Sequence, residues 1–372
     1  MSKRLKVLSV VGTRPNLMKI APIAALLERR PEDFDHVLVH TGQHYDYDMS
    51  QIFFQELQIT EPDHYLGVGS GSHSQQIART MRGLEPVLLE AQPDVVLVPG
   101  DVNSTLAAAL VASKLLIPVG HVEAGLRSFD RTMPEETNRL LTDAVSDLLF
   151  IHSPEARENL IREGASEEAI HDVGNTMIDT LVAMRARIAA AEPASADGFE
   201  PGSYLVVTLH RPALVDGPKL AEAIGQLTAL SEHMPVVFPV HPRTRAAIEA
   251  QGLIVYGDRM RLVEPVGYIE FLGLVSRAGA VLTDSGGIQE ETTFLNVPCF
   301  TLRDNTERPV TVTLGSNVLL GLAPERIAEI PDLLDSRGHH ATVPPLWDGR
   351  AAERVVAALA QAELPTWTPA LA

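Results

Sequence analysis

The sequence predicts an α/β fold made of two doubly wound, Rossmann-like domains. Short apolar runs alternate with segments of helical periodicity along the chain, which is typical of parallel sheets covered by helices on both faces. A segment rich in Pro, Gly and Ala at 192–202 interrupts this alternation, which then begins again. The 372 residues, 45% of them hydrophobic, are sufficient for two domains with separate cores.

The apolar runs predict five strands in each half of the chain. In the first half, each run is followed by a turn signal and a helical pattern, and the predicted strands are 5–11, 36–41, 94–99, 118–123 and 148–152. In the second half the predicted strands are 204–210, 236–241, 260–262, 280–284 and 299–302. Helical patterns also cover 176–191, before the connecting segment, and 351–364, near the end of the chain.

Composition and charge exclude several classes of protein. The chain has 30 basic and 48 acidic residues, a formal net charge of −18, and the basic residues are scattered, so neither a nucleic-acid nor a membrane-surface partner is expected. The single cysteine, Cys299, rules out a disulfide scaffold and a thiolate metal cluster, and is typical of a reducing compartment.

The longest apolar stretch, 106–121, is interrupted by polar residues and is shorter than the roughly 20 residues that cross a bilayer. Because no targeting segment is visible, we expect a cytoplasmic protein.

Two carboxylates follow neighbouring predicted strands in the first half. Asp101 comes after strand 94–99, and Glu123 ends strand 118–123, one βαβ step later. Ligands bind outside the carboxyl ends of parallel strands, so both side chains are predicted to reach the same ligand-binding edge. The alternative is that Asp101 caps the following helix and that Glu123 is a solvated loop residue.

A second acidic pair lies downstream, at a predicted helix start. Glu135 and Glu136 follow Pro134, and their charges can simply complement the helix dipole. Alternatively, Glu135 converges with Asp101 and Glu123. Repulsion among three crowded carboxylates would then make their pKa values differ, so that the site contains both a base and an acid.

Groups suited to an anionic ligand occur in both halves. Arg14 and Lys19 accompany the first turn, 12–16, whose single glycine makes a dinucleotide fingerprint weak. Segment 284–291 takes a strand into a helix through two glycines, and its uncovered amides can bind a pyrophosphate. Each of these features also has a purely structural interpretation, as surface charges or a serine-capped helix.

Further candidates for the same ligand come from the second half. Two histidines, His210 and His241, end equivalent strands, and such histidines are about as often structural as functional. Arg308 can add a fork-shaped donor for phosphate.

At these residues the sequence resembles the non-hydrolysing UDP-N-acetylglucosamine 2-epimerases. The matching segments occur in the family's order over nearly the whole chain. The most specific of them are HVEAGLRS at 121–128 and DSGGIQEE at 284–291. The matching segments are GTRP at 12–15, TGQH at 41–44, GD at 100–101, HVEAGLRS at 121–128, PEETNR at 134–139, TLHR at 208–211 and DSGGIQEE at 284–291.

The resemblance implies a GT-B-like fold, with the active site in the cleft between two Rossmann-like domains. The N-terminal domain would be 1–175, with the C-terminal helix 352–372 packing back on it, and the UDP-binding domain would be 176–351. The implied reaction is reversible C2 epimerisation of UDP-N-acetylglucosamine to UDP-N-acetylmannosamine. It proceeds by elimination of UDP and readdition through a 2-acetamidoglucal, and it would supply sugars for surface polysaccharide. No cofactor or metal is required, and a homodimer is expected.

The same resemblance implies roles for individual residues. It assigns catalysis to Asp101, Glu123, Glu135 and His210. It assigns substrate binding to Arg14, Lys19, His241, Ser285, Gly286, Glu291 and Arg308. A regulatory site for a second UDP-sugar would involve Gln43, His44, Glu136 and Arg211. The chain departs from the family pattern at Asn16, where glutamate is common, at Tyr45-Asp46, and at 212–214.

Three other functions remain open at this stage. A hydrolysing relative would let water capture the intermediate and would release free N-acetylmannosamine and UDP. A GT-B glycosyltransferase would require an acceptor. A non-catalytic sensor would bind the UDP-sugar without exchanging the C2 proton.

Overall fold

A computed structural model of the protein describes residues 4–42, 59–253, 258–336 and 341–364. Its contacts divide the chain into two compact units. Unit 1 comprises Met1–Val182 and Pro345–Ala372, and unit 2 comprises Ala183–Pro344. The domain limits assigned from the sequence, 175 and 351, differ from this division by several residues. The first residues of the helix Thr176–Ala190 and the residues around Trp347 belong to unit 1.

Unit 1 is built on a seven-stranded parallel sheet. Its strands are β1 (Leu5–Val11), β2 (Phe34–His40), β3 (His64–Tyr65), β4 (Val95–Pro99), β5 (Val119–Val122), β6 (Leu148–Ile151) and β7 (Ile170–Asp172). Their order across the sheet is β3-β2-β1-β4-β5-β6-β7, and the neighbours pair in parallel. The helices of this unit are α1 (Arg14–Glu28), α2 (His73–Ala91), α3 (Asn103–Lys114), α4 (Pro134–Ala144), α5 (Pro154–Arg162), α6 (Thr176–Ala190, which continues into unit 2) and α14 (Ala351–Gln361).

Unit 2 has a six-stranded parallel sheet. Its strands are β8 (Leu205–Thr208), β9 (Val236–Pro239), β10 (Met260–Val263), β11 (Ala280–Thr283), β12 (Cys299–Thr301) and β13 (Asn317–Leu319), in the order β10-β9-β8-β11-β12-β13. Its helices are α7 (Pro212–Val215), α8 (Lys219–Ser231), α9 (Pro242–Ala250), α10 (Tyr268–Ser276), α11 (Gly286–Leu295), α12 (Val310–Thr313) and α13 (Ile330–Ser336). Short 3₁₀ helices cover Glu167–Ala169, Ala194–Ala196 and Pro324–Glu329.

Small side chains allow α3 to lie directly on the unit 1 sheet. Ala108, Ala109 and Ala112 are fully buried in one cluster with Val96 and Val98 of β4. Because these alanines have only a methyl group, the helix backbone approaches the central strands closely, and the apolar surface buried there stabilises the unit.

Each sheet contains a topological switch point. Connections leave β1 and β4 towards opposite edges of the unit 1 sheet, and the same holds for β8 and β11 in unit 2. Open α/β sheets bind ligands in the crevice outside the carboxyl ends of such strands. In unit 1 these ends lead into Gly12 and Gly100, and in unit 2 they lead into Leu209 and Asp284.

The predicted α/β fold class is confirmed, and the predicted strands lie within the two sheets. Three strands were not predicted, namely β3, β7 and β13, each of only two or three residues. They lie at sheet edges and contain polar residues, so hydrophobic patterning gave little signal. Among the described residues, no helix is long and apolar enough to cross a membrane.

Candidate functional site

A buried ion pair lies at the switch point of unit 1. Lys19 of α1 reaches Glu123, the residue that follows β5, and its ammonium contacts the Glu123 carboxylate. Both side chains are about one-twentieth exposed. Glu123 has a φ of +75°, a conformation that is uncommon for residues with a side chain, so its carboxylate is held by a constrained backbone.

Gly100 makes room for the lysine of this pair. A Cβ at Gly100 would lie 2.8 Å from Lys19 Nζ, and Gly100 has a φ of +65°. Glycine adopts this conformation without strain, so β4 can end directly beneath the ammonium. The predicted cation and the predicted carboxylate therefore meet beside the end of β4.

Asp101 belongs to a second charged cluster, centred on Arg139 of α4. The guanidinium of Arg139, only 2% exposed, forms ion pairs with Asp101 and with Glu136. Asn138 donates a hydrogen bond of 2.9 Å to the Asp101 carbonyl oxygen. The Asp101 side chain remains 25% exposed, so it is oriented by Arg139 and still accessible to a ligand.

The Glu136 carboxylate is buried and stabilises the loop that precedes α4. Burial alone would raise the pKa of its carboxyl, but hydrogen bonds from Ser128 and Arg139 hold that pKa below its ordinary value. The carboxylate accepts from Ser128 N and Phe129 N, both at 2.9 Å, and so shapes the loop before α4. Glu135, its neighbour, is half-buried in the first turn of α4.

Asn16 organises the turn after β1. Its Oδ1 accepts from Gly12 N at 3.3 Å and Thr13 N at 3.2 Å, while its Nδ2 donates to the Pro99 carbonyl at 2.8 Å. The amide thus connects the ends of β1 and β4 across the switch point. An ionised glutamate could not donate to the Pro99 oxygen, so this bond depends on the departure from the family pattern at residue 16. Arg14, half-buried, begins α1 from the same turn.

In unit 2, the buried Asp284 holds His210. The Asp284 carboxylate lies 2.9 Å from His210 Nδ1 and accepts from the backbone nitrogens of His210 and Arg211 at 2.8 and 2.7 Å. Burial alone would raise the pKa of this carboxyl, but the hydrogen bonds and charge of His210 hold it below its ordinary value. The Asp284 carboxylate faces Nδ1 and leaves Nε2 of the 40% exposed His210 side chain for a ligand.

His241 lies beside His210 at the end of the neighbouring strand. The two ring centroids are 5.7 Å apart. His241 Nδ1 accepts a hydrogen bond from Arg243 N at 3.2 Å, which caps α9. Burial, together with the charge of His210, lowers the pKa of His241, so this ring is neutral and carries its proton on Nε2.

The start of α11 lies beside a buried arginine. Ser285 is the N-cap and makes no side-chain capping bond. The Arg308 guanidinium lies against Gly286, where a Cβ would come within 2.5 Å of Nη1. Glu290 and Glu307 hold this guanidinium at 3.0 and 2.6 Å. The predicted phosphate-binding residues Ser285, Gly286 and Arg308 therefore come together.

Glu291 lies one turn further along α11. It is 4% exposed, and its Oε1 accepts a hydrogen bond of 2.9 Å from the Tyr268 hydroxyl. The tyrosine thus fixes the orientation of a carboxylate that can accept hydroxyl donors with its remaining lone pairs.

Several supporting residues were not identified from the sequence. Arg139 and Asp284 lay inside matching segments but were given no role. The linear order does not show which carboxylate Arg139 contacts, and it does not show which histidine Asp284 contacts. Tyr268 lay outside those segments and carried no sequence signal.

The predicted regulatory set is only partly described. Gln43 and His44 lie outside the described residues. Glu136 holds the 128–129 loop, and Arg211 donates from Nε to the Asp284 carbonyl at 2.8 Å.

Comparison with known proteins decides the family. The sequence model described as UDP-N-acetylglucosamine 2-epimerase matches residues 26–360. This chain belongs to the UDP-N-acetylglucosamine 2-epimerase family. A member from Methanococcus maripaludis, named UDP-N-acetylglucosamine 2-epimerase, is 43% identical over 359 residues, covering 93% of this chain and 96% of that protein.

A relative with a different named substrate is equally similar. The UDP-2,3-diacetamido-2,3-dideoxy-D-glucuronate 2-epimerase of Pseudomonas aeruginosa is 44% identical over 330 residues, covering 87% of this chain and 91% of that protein. Membership of the epimerase family therefore leaves the substituents of the sugar undecided.

The solved structures agree on the fold. The UDP-GlcNAc 2-epimerase of Methanocaldococcus jannaschii, crystallised with UDP-GlcNAc and UDP, matches with a TM-score of 0.87 and 41% identity, covering 95% of this chain and 99% of that one. The fold of this family member is therefore GT-B-like, as predicted.

Proposed function

We propose that this epimerase-family chain interconverts UDP-N-acetylglucosamine and UDP-N-acetylmannosamine without releasing free sugar. The observation that carries the proposal is the pair of carboxylates at the ends of β4 and β5, each oriented by a buried cation. Asp101 is held by Arg139, and Glu123 is held by Lys19. Oriented carboxylates at a switch point are suited to removing and returning a proton.

The chemistry of the substrate explains why acids are needed together with a site for a leaving diphosphate. The C2 proton of a UDP-sugar has no adjacent carbonyl, so direct removal of this proton is unfavourable. When the C1–O bond breaks, UDP leaves with the bonding electrons and positive charge develops at C1. A carboxylate then takes the C2 proton, and a C1–C2 double bond forms. Return of UDP to C1, with a proton delivered to the opposite face of C2, gives the epimer.

In this proposal the unit 1 acids handle the proton. Asp101, Glu123 and Glu135 form the acid/base and oxocarbenium-stabilising group, and the ammonium of Lys19 offsets the charge of the buried Glu123. Arg14 and Lys19 add positive charge at the same sheet edge.

Unit 2 is proposed to bind UDP, and the contacts described above support this role. The start of α11 at Ser285 and Gly286 and the guanidinium of Arg308 are suited to the diphosphate, and Glu291 is suited to the ribose hydroxyls. His210 assists the leaving diphosphate through Nε2, because Asp284 occupies Nδ1, and His241 lies next to it as a neutral donor.

A second candidate substrate is favoured by one comparison. The Pseudomonas aeruginosa relative, named for a diacetamido-glucuronate, is as similar as those named for UDP-N-acetylglucosamine. Such a substrate has a second acetamido group at C3 and a carboxylate at C5. Both UDP-sugars are therefore included in the test.

Proton NMR in deuterium oxide tests the proposal directly. The purified protein is incubated with each UDP-sugar, and the C2 proton, the two epimers and free UDP are followed together. We expect loss of the C2 proton signal, appearance of the manno epimer, and no free UDP accumulating. Turnover of the diacetamido-glucuronate alone would assign the second substrate.

The alternatives give different outcomes in the same experiment. Free UDP that accumulates with a reducing sugar would identify a hydrolysing enzyme. No reaction without an added acceptor would favour a glycosyltransferase. Thermal stabilisation by UDP-sugar without any deuterium at C2 would identify a sensor.

Four broader assignments are also proposed. The product would supply N-acetylmannosamine-type sugars for surface polysaccharide, the chain would form a homodimer, and it would act in the cytoplasm, as the single buried cysteine favours. A second UDP-sugar would bind a regulatory site that includes Gln43, His44, Glu136 and Arg211. Light scattering measures the dimer, and the dependence of rate on UDP-N-acetylglucosamine concentration measures the regulation.

A further inference from the structure

His121 is a fully buried residue of β5 with a hydrogen-bond partner on each ring nitrogen. Nδ1 lies 2.6 Å from Asp143 Oδ1, and Nε2 lies 2.7 Å from the carbonyl oxygen of Gly100. Gly100 immediately precedes Asp101. The Gly100 N–H also donates to the Val122 carbonyl at 2.9 Å, so both the amide and the carbonyl of Gly100 are held by hydrogen bonds.

The two partners determine the protons of the ring. The Gly100 carbonyl oxygen can only accept, so Nε2 carries a proton. Burial alone would raise the pKa of Asp143, but His121 and Arg127 hold it below its ordinary value. The ionised carboxylate also only accepts, so Nδ1 carries a proton as well. The ring therefore has one orientation in which both donors are satisfied.

Asp143 extends this arrangement to a second loop. From the last turn of α4 its Oδ2 accepts from Gly125 N at 3.1 Å and lies 2.7 Å from Arg127 Nη2. Both residues belong to the loop that begins at Glu123. The pair His121–Asp143 therefore connects three segments, and each segment carries one of the proposed acids: Asp101, Glu123 and Glu135.

The charges around this pair are balanced. Asp143 faces His121 and Arg127, and Arg127 also contacts Glu163 of the neighbouring loop, with Nε 2.9 Å from Oε1. Two positive groups thus meet two negative groups in one cluster. Because the charges offset one another, the cluster acts on the acids through their positions rather than through a net field.

We propose that His121 is a positioning residue that fixes Asp101 for proton transfer through its hydrogen bond to the Gly100 carbonyl. The proposal rests on the function proposed above, since it assigns Asp101 a proton-transfer role. The bond from Nε2 to Gly100 sets the place of Asp101, and the bond from Nδ1 to Asp143 sets the angle of the ring.

Two amide variants separate the two hydrogen bonds. The amide nitrogen of asparagine reaches about as far as Nδ1, so His121→Asn keeps a donor for Asp143 and loses the bond to Gly100. The amide nitrogen of glutamine reaches about as far as Nε2, so His121→Gln keeps the donor for Gly100. Asp143 still has Gly125 and Arg127 as partners in the glutamine variant.

The variants are compared by kcat, UDP affinity, melting temperature and amide hydrogen exchange at residues 100–103. We expect kcat of His121→Asn to fall by about a hundredfold, as for a reacting group misplaced by about 1 Å. UDP affinity should be unchanged in both variants. His121→Gln should retain most of the activity, and its 100–103 amides should stay protected, whereas those of His121→Asn should exchange faster.

His36, a half-buried histidine of the same sheet, provides the control for replacing a histidine. It lies on β2, with Nε2 3.0 Å from Ser9 Oγ. His36→Asn and His36→Gln should therefore have equal kcat. Equal losses of kcat in the two His121 variants, or a larger loss in His121→Gln, would overturn the proposal and leave His121 a purely structural residue.

A measurement on the unaltered protein covers the case in which a variant does not fold. With ¹⁵N-labelled histidine, NMR should detect a proton on both ring nitrogens of His121, and a ring with one proton would overturn the arrangement. If the unaltered protein fails to exchange the C2 proton, the proposed function fails, while the ring protons and the 100–103 amides still report on the positioning role.

Discussion

At the scale of single residues, the candidate site consists of buried charges that each meet an opposite charge. Lys19 contacts Glu123, Arg139 contacts Asp101, and Arg308 contacts Glu290. Burying an isolated charge is very costly, and a paired charge keeps one orientation. These pairs therefore fix the geometry of the acids before any substrate arrives.

Replacing Asp101 separates catalysis from UDP binding. Asp101→Asn keeps the shape of the side chain and removes its ability to take a proton. We expect epimerisation to fall by about 10²–10⁴-fold, the usual contribution of an acid/base group, with UDP affinity nearly unchanged. NMR exchange and calorimetric titration with UDP measure the two quantities.

Asp94→Asn is the matched control for this change of charge. Asp94 lies at the opposite end of β4 and accepts a hydrogen bond of 2.8 Å from Lys6 N. Its variant should keep the rate of epimerisation. A large loss of UDP affinity in Asp101→Asn would contradict the assignment of Asp101 to the sugar.

At the scale of elements, the start of α11 depends on a glycine that packs against an arginine. Gly286→Ala would place a methyl group against Arg308, whose guanidinium is already fixed by Glu290 and Glu307. We expect UDP affinity to fall by roughly tenfold to a hundredfold, the loss of about one charge-assisted hydrogen bond.

Gly225→Ala is the control for adding a methyl group to a helix. Gly225 lies inside α8, and a Cβ there would have no atom within 4 Å. This variant should keep its UDP affinity and gain up to about 1 kcal/mol of stability. If Gly286→Ala binds UDP as tightly as the unaltered protein, Arg308 is not a UDP ligand.

The start of α14 is capped by a carboxylate with a shifted pKa. Asp179 of α6 accepts from Ala351 N and Ala352 N at 3.0 and 2.7 Å. Burial raises the pKa of Asp179 from 3.8 to about 6, although these two backbone bonds oppose the shift. Since the folded state favours the protonated carboxyl, the stability that it contributes is complete below pH 3.8 and is lost as the pH rises through about 6.

Asp179→Asn removes this titration. The free energy of unfolding of the variant, minus that of the unaltered protein, should increase by about 2 kcal/mol between pH 4 and pH 7. Urea unfolding at several pH values measures this difference. If the difference in unfolding free energy between the variant and the unaltered protein decreases with pH, the expectation is wrong. In that case the positive end of α14 stabilises the Asp179 carboxylate by more than its burial destabilises it.

At the scale of the whole molecule, the chain returns to unit 1 after it completes unit 2. Trp347 is 1% exposed, and its indole nitrogen donates a hydrogen bond of 2.9 Å to the His152 carbonyl. Beyond it, α14 packs against α1. The returning segment is therefore part of the core of unit 1.

Trp347→Ala tests how strongly this segment is anchored. We expect a loss of about 3–5 kcal/mol in the free energy of unfolding, as for other large aromatic residues in a core. Trp347→Phe keeps an aromatic ring but loses the indole hydrogen bond and part of the buried volume, so we expect a smaller loss, roughly 2 kcal/mol. Urea unfolding compares the two, and equal stabilities would show that the ring is not anchored.

The net charge of −18 is a property of the whole molecule that does not describe the site. Buried cations lie at both switch points, namely Lys19 in unit 1 and Arg308 in unit 2. The acidic surface disfavours nucleic acid, while these cations and the amides of α11 can still attract a diphosphate.

The sequence by itself determined the fold class, the family and the strand ends at which the polar residues lie. Hydrophobic alternation and the matching segments are local properties of the chain, so they can be read in linear order. It did not reveal the three short edge strands, since two or three residues carry too little pattern.

Only the tertiary structure decided which charges are paired. Arg139 is 38 residues from Asp101, and Asp284 is 74 residues from His210, and folding brings each pair into contact. The same holds for His121, which the sequence placed in a family segment without a role and which the structure places between Gly100 and Asp143. The physical reason is that burial, ion pairing and hydrogen-bond direction depend on distances in space, which the linear order of residues does not fix.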